Sequence, residues 1–244
     1  MNISGTKNKV VYLFATICFT AIGLCSLPAE NAKAQDVDFG ADFVNRYVWR
    51  GIDFGKSASI QPTIEFTSGG FTAGTWASYA MSPVENSTVS AVGASEHDLY
   101  LSYSFGNVSV GVTDYYFPTG SEIFNFDDDG AGAHYIEPNI SIAGPESFPV
   151  TFYGAINAYN DPDHSIYLEA SVPFSVGDTD MAVTIGGVPA ESNYYGTTKA
   201  GLINMNLSVS REIEITDKFS LPIFGGYILN PYAEQSYLVF GLSL

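Results

Sequence analysis

The charged residues of this chain that could do chemistry form no compact motif; they recur at alternate positions. Asp42, Arg46, Arg50, Glu65, Asp98, Glu137 and Glu169 each stand in a run where polar and apolar residues alternate. If those runs turn their polar sides to one interior, carboxylates outnumber arginines there, and the field attracts cations and repels anions. Asp38, Gln61, Asn139, Asn204 and Asn206 extend the same polar set. The alternative is that these groups pair with one another and fill the interior with hydrogen bonds and ion pairs.

Two other groupings suggest chemistry. Asn125, Asp127, Asp129 and Gly130 have the alternating oxygen-ligand spacing of a calcium loop. The bidentate Glu of such a loop would fall on Ile136, however, and Glu137 stands one place late, so a solvated acidic loop is expected, with calcium as the alternative. Beyond that possible calcium ion no cofactor is expected. Among the histidines, His97 lies near Ser95 and His164 precedes Ser165, but adjacency in sequence is not triad geometry, and no nucleophile motif surrounds them or His134. The reading is therefore non-enzymatic. A formal charge of −17 repels phosphate backbones, which excludes nucleic acid as a partner.

The elements that must position these residues are strands. With 24 Gly, 12 Pro, 16 Tyr and 17 Phe and few helix-building side chains, the composition favours strands and turns. From Val37 to Trp49 the odd positions are apolar or aromatic apart from Asn45, and the even ones carry Asp36, Asp38, Asp42, Arg46 and Arg50, which predicts a single long strand. The period returns at 60–66, 99–105, 108–112, 136–142, 150–156, 168–174, 205–209, 219–229 and 238–244, with weaker runs at 71–81 and 181–185. That makes about twelve strands, each close to the ~10 residues of a tilted membrane strand.

Connections and aromatic residues separate a membrane barrel from a soluble sandwich. Short turns at Ser68-Gly69-Gly70, Gly106-Asn107 and Gly177-Asp178-Thr179 alternate with long polar linkers over 82–96, 118–132 and 188–198. Tyr47, Trp49, Tyr79, Tyr115, Tyr116, Tyr159, Tyr227 and Tyr237 stand near the long linkers, and Phe66, Phe71, Phe105, Phe174 and Phe219 near the short turns. These predict two interfacial girdles.

At the start of the chain, Lys7 and Lys9 precede an apolar stretch, and Ala32-Lys33-Ala34 supplies small residues for cleavage. Residues 1–34 are expected to be a secretory signal peptide and 35–244 the barrel. Cys18 and Cys25 both fall in the signal, so no disulfide framework is expected after cleavage.

The run Tyr47-Val48-Trp49-Arg50-Gly51-Ile52, then Gln61-Pro62 and Gly70-Phe71-Thr72-Ala73-Gly74-Thr75-Trp76-Ala77-Ser78, resembles the TorF-type porin family of Gram-negative outer-membrane β-barrels. The resemblance covers roughly Ala41 to Tyr79. Asn45-Arg46 and Asp53 depart from the residues usual in that family. It implies an outer-membrane barrel of undefined substrate and no catalytic residues.

Together these readings predict an all-β fold, an up-and-down antiparallel transmembrane β-barrel. The expected role is passive diffusion of small solutes, preferentially cationic or neutral, across the outer membrane of a Gram-negative bacterium. A plugged or structural barrel is the alternative, and a secreted soluble β-sandwich binding module a further one. Expected partners are outer-membrane lipid, the barrel-insertion machinery engaging the C-terminal strand that ends in Leu238, Phe240, Leu242 and Leu244, and the small solutes.

Overall fold

The computed structural model describes residues 35–82, 95–118 and 123–244; the expected signal peptide lies outside the described residues. Fourteen strands follow one another: β1 (Gln35–Val44), β2 (Tyr47–Trp49), β3 (Ile52–Phe54), β4 (Ser59–Ser68), β5 (Phe71–Ala80), β6 (Ser95–Phe105) and β7 (Val108–Tyr116), then β8 (His134–Ala143), β9 (Thr151–Ile156), β10 (Ile166–Val176), β11 (Thr179–Val188), β12 (Gly201–Thr216), β13 (Phe219–Asn230) and β14 (Gln235–Ser243). Twelve of them, β1 and β4 to β14, form one closed antiparallel barrel, and β2 and β3 form a separate two-stranded hairpin. Closure comes from β1, which pairs with β4 over its whole length and with β14 at Asp42↔Ser243, Phe43↔Leu242 and Val44↔Gly241. A single sheet closed on itself has no free edge and no second layer, which rules out the sandwich alternative.

Period two decides what each strand shows to either side. On β1 the set Val37, Phe39 and Phe43 points outward, and Phe39 is 74% exposed. Ile64, Leu99, Val110, Ile140, Leu168, Val183, Leu207, Ile223, Leu238 and Phe240 continue this exposed apolar band around the wall. An apolar surface encircling the molecule far exceeds the patches that water-soluble proteins tolerate and matches hydrocarbon instead. No helix among the described residues is long and apolar enough to cross a membrane.

Turns sort to two rims as the linker lengths predict. Gly69-Gly70, Gly106-Asn107, Gly177-Asp178 and Asp217-Lys218 close one rim together with the connection 144–150, and the connections 157–165, 189–200 and 231–234 and the one that carries β2 and β3 lie at the other. The weak runs at 71–81 and 181–185 are full strands, β5 and β11. The expected strand from Val37 to Trp49 is not: β1 stops at Val44. Asn45 ends it by donating from Nδ2 to the Leu238 carbonyl (3.0 Å) and accepting from the Phe240 amide (2.8 Å), so its side chain takes up ladder groups of β14. The chain then turns inward.

Burial along the inward faces differs between the rims. Toward the long loops Ser59, Gln61, Ser78, Glu96, Asp98, Glu137, Tyr167 and Asn204 are all buried. Toward the short turns Asp36, Asp38, Ser104, Ser175 and Ser210 are exposed. The lumen is therefore a cup, open at the short-turn end and filled at the other.

Candidate functional site

The filling is the β2–β3 hairpin. Tyr47↔Phe54, Val48↔Asp53 and Trp49↔Ile52 pair across a two-residue turn, Arg50-Gly51, with φ of 48° and 77°. Positive φ at both turn residues is the twist-matched geometry of a tight hairpin. Glycine is required at the second position for space as well, since a Cβ on Gly51 would lie 1.9 Å from the Ile203 carbonyl oxygen on the far wall. Asn230 Nδ2 donates to the Gly51 carbonyl (3.1 Å) and holds the tip against β13.

Arg50 is the anchor. Its Nη1 donates to Glu137 Oε2 (2.6 Å) and its Nη2 to Glu137 Oε1 (2.9 Å), a two-pronged ion pair whose side chains are 8% and 1% exposed. The guanidinium also donates to the hydroxyls of Tyr195 and Tyr153 and lies 4.2 Å from the Trp49 ring centroid and 4.4 Å from that of Tyr167. Glu137 in turn accepts from Tyr115 (3.0 Å) and Tyr153 (3.1 Å), so β7, β8, β9 and the β11–β12 loop all converge on one hairpin side chain. Burial alone would disfavour both charges; bidentate geometry, added hydroxyl donors and stacked rings compensate them.

Rings occupy the rest of the closed half. Trp49 stacks on Tyr195 (5.9 Å between centroids, 16°) and meets Tyr115 and Tyr194 edge-on, while Tyr47 packs against Phe54 and Trp76. Burial, followed by the nearby Glu96 and Asp98 carboxylates, pushes the Tyr47 hydroxyl well above its ordinary range and keeps it a hydrogen-bond donor to Glu96. At the hairpin base Arg46 pairs with Asp53 at 3.4 Å; burial pushes the Asp53 carboxyl up, and the Arg46 charge opposes it. Asn45, Arg46 and Asp53 thus sit together where the hairpin leaves the wall.

The expected lumen residues have several fates. Asp42, Glu65, Asp98, Glu137 and Glu169 do point inward from the wall. Most are paired: Asp42 accepts from Ser243 (2.6 Å), Glu65 from Tyr100 (2.8 Å), and Glu169 from Tyr167 (2.6 Å) and Asn204 (3.3 Å). Arg46 and Arg50 are not wall residues at all, because the chain leaves the wall after Val44; one braces the hairpin and the other tips it. The long-loop aromatic girdle is corrected for the same reason. Tyr47 and Trp49 belong to the plug, and Tyr115 and Tyr237 are buried inward, whereas Tyr79 and Tyr227 are exposed on the outside. Gly186, at a β-bulge with Gly187, makes room for Tyr167, whose hydroxyl would lie 2.0 Å from a Cβ there.

Sequence reasoning missed the partners of Arg50. Tyr195 was legible as half of a Tyr194-Tyr195 pair in an otherwise polar linker, where two large rings need burial. Tyr153 and Tyr167 stand on the polar faces of their strands, a position that aromatic residues take when they fill a lumen.

The acidic loop holds its own backbone. Asn125 Oδ1 accepts from the Asp127 amide (3.3 Å), and Asp128 Oδ1 accepts from the amides of Asp129 and Asn160 (2.9 Å each). No three His, Cys, Asp or Glu side chains converge as metal ligands among the described residues, so Asn125, Asp127 and Asp129 gain no support as a calcium set. Asp161 behaves as a turn residue, accepting from the Asp163 and Ser165 amides and from Asn157. His134 resembles part of a triad, with Asp114 on Nδ1 at 3.0 Å, but Nε2, which would face a nucleophile, is bound to the Ile123 carbonyl at 2.7 Å. The pair ties the segment 123–133 to β7 and β8, with Phe126 stacked on the imidazole at 4.0 Å.

Over residues 29–215 the chain matches the model of a family described as bacterial protein of unknown function (Gcw_chp), and it belongs to that family. No curated protein matches it. Among solved structures it is similar to the COG4313 outer membrane channel from Pseudomonas putida F1, with 14% identity and a TM-score of 0.47, over 89% of this chain and 97% of that one.

Proposed function

We propose that the protein is an outer-membrane β-barrel channel for small solutes, which its own β2–β3 hairpin holds closed from the long-loop side. The hairpin's insertion carries this reading: a closed barrel with an apolar exterior encloses a polar lumen, and one ion pair fixes the segment that blocks it. A structural barrel needs only a packed interior. Here the short-turn half of the lumen is wet and lined by Asp36, Asp38 and Glu65, which suits conduction better than bracing. Those carboxylates favour cationic or neutral solutes when the plug moves. The resemblance of Tyr47–Ser78 to TorF-type porins points the same way. Export through the signal at 1–34 would deliver the chain to the outer membrane of a Gram-negative cell, where the C-terminal strand β14 engages the barrel-insertion machinery before closing on β1.

Conductance in planar bilayers tests the proposal, with a heat-modifiable gel shift as proof of a folded barrel. Wild-type protein should show rare, brief openings, and Arg50→Ala should raise the open fraction by at least about tenfold, the change expected for losing more than ~1.4 kcal/mol of plug docking. Steady wild-type conductance would overturn the closed state. Silence of both folded proteins would overturn the channel and leave a structural barrel.

A further inference from the structure

Glu137 shows how this lumen holds a cation: a buried carboxylate, hydroxyl donors, and aromatic faces around the guanidinium of Arg50. A second place in the closed half carries carboxylates and rings without any arginine or lysine among the described residues. Glu96 and Asp98 are consecutive inward residues of β6, 4% and 7% exposed, and Glu96 Oε2 and Asp98 Oδ1 have no hydrogen-bond partner among the described residues. Trp76 on β5 and Tyr115 on β7 stand directly opposite Asp98 on either side. Tyr47 of the hairpin hydrogen-bonds Glu96 and packs on Trp76 at 5.2 Å between ring centroids. Both nearby arginines are committed elsewhere, Arg46 to Asp53 and Arg50 to Glu137.

We infer that Glu96 and Asp98, framed by Tyr47, Trp76 and Tyr115, bind a small organic ammonium ion inside the closed barrel. This deepens the channel reading above, on which it rests, by naming a class of solute. Unpaired carboxylate oxygens in a dry site are costly, and a cation that donates to both removes the cost. Ring faces add attraction for a weakly hydrated ammonium. A hard metal ion fits less well, because calcium needs six to eight oxygen ligands and no three acidic or imidazole side chains converge among the described residues.

The two tryptophans of the chain, Trp49 and Trp76, both lie in this half of the lumen, so intrinsic fluorescence reads the site directly. Refolded barrel is titrated with methylammonium chloride and, separately, with sodium chloride at the same ionic strength. The expected result is a saturable change with methylammonium only, weakened at least about tenfold in Glu96→Gln and in Asp98→Asn and retained in Asp38→Asn. An equal response to sodium, no saturation, or unchanged affinity in both variants would overturn the site; a carboxyl pair that is simply protonated gives no saturation. Should a variant fail to give the heat-shifted band, the wild type decides: methylammonium must raise its unfolding temperature more than sodium does at equal concentration. Neither readout requires conduction, so a silent barrel with a saturable site would refute the channel and keep the site.

Discussion

The two halves of the lumen are built from the same strands and opposite materials. The short-turn half is lined by exposed serines and carboxylates, and the long-loop half is packed with aromatic rings around a buried ion pair. The wall alternates in the same way along its whole height, so the difference comes from the hairpin that leaves it and from the rings of Trp76, Tyr115, Tyr153 and Tyr167 that the wall turns toward it. The lesson is that the filling of a barrel's interior is decided by what its loops and inward side chains put there, and the strand count sets only the space available.

That contrast breaks most completely at Glu137. Replacing it by alanine leaves Arg50 charged and unpaired among Trp49, Tyr153 and Tyr167, at a cost of about 3–5 kcal/mol. The denaturation midpoint of the folded band should fall, and Trp49 should become quenchable by a water-soluble quencher, as if the closed half had been opened. Gly51→Ala should act at the tip without touching a charge. The new Cβ would meet the Ile203 carbonyl at 1.9 Å and the left-handed φ would be strained, so about 1–3 kcal/mol of docking is expected to be lost, with denaturant unfolding as the readout. At the short-turn end the same kind of change should do almost nothing. Arg211 and Asp178 pair at 3.4 Å with side chains 50% and 88% exposed, and Asp178→Asn should shift the midpoint by no more than about 0.5 kcal/mol. A large effect there would erase the distinction between a wet and a dry half.

The wall was legible in the sequence because hydrocarbon on one side and water or polar groups on the other impose period two on every strand. Val108–Val112 and Leu238–Leu242 could hardly be read otherwise, and even the weak run at Met181 resolved as a full strand. The plug was illegible for the same reason. Tyr47 and Trp49 resume the odd-numbered apolar row of β1 beyond Asn45, and a periodicity argument has no means of seeing that the chain has turned by leaving the sheet. Local marks existed: Asn45 interrupts the apolar row, and Arg50-Gly51 lies between the triplets Tyr47-Val48-Trp49 and Ile52-Asp53-Phe54 as a two-residue turn would. Their meaning depended on Ile203, Tyr195 and Asn230, more than a hundred residues away. The pairing of Arg50 with Glu137 was beyond reach, because each appeared to belong to a wall strand and only an inserted hairpin brings them together.

Distance along the chain also governs when the plug can form. Arg50 is separated by 87 residues from Glu137 and by 145 from Tyr195, and Gly51 by 179 from Asn230. Contacts of such high order form late, since each must wait for the intervening chain to be organised. The hairpin lies near the amino-terminal end of the barrel, yet its binding site is assembled from β5 to β13. Completing its docking therefore requires most of the wall to be in place, which makes the plug the feature of this fold most dependent on distant parts of the chain.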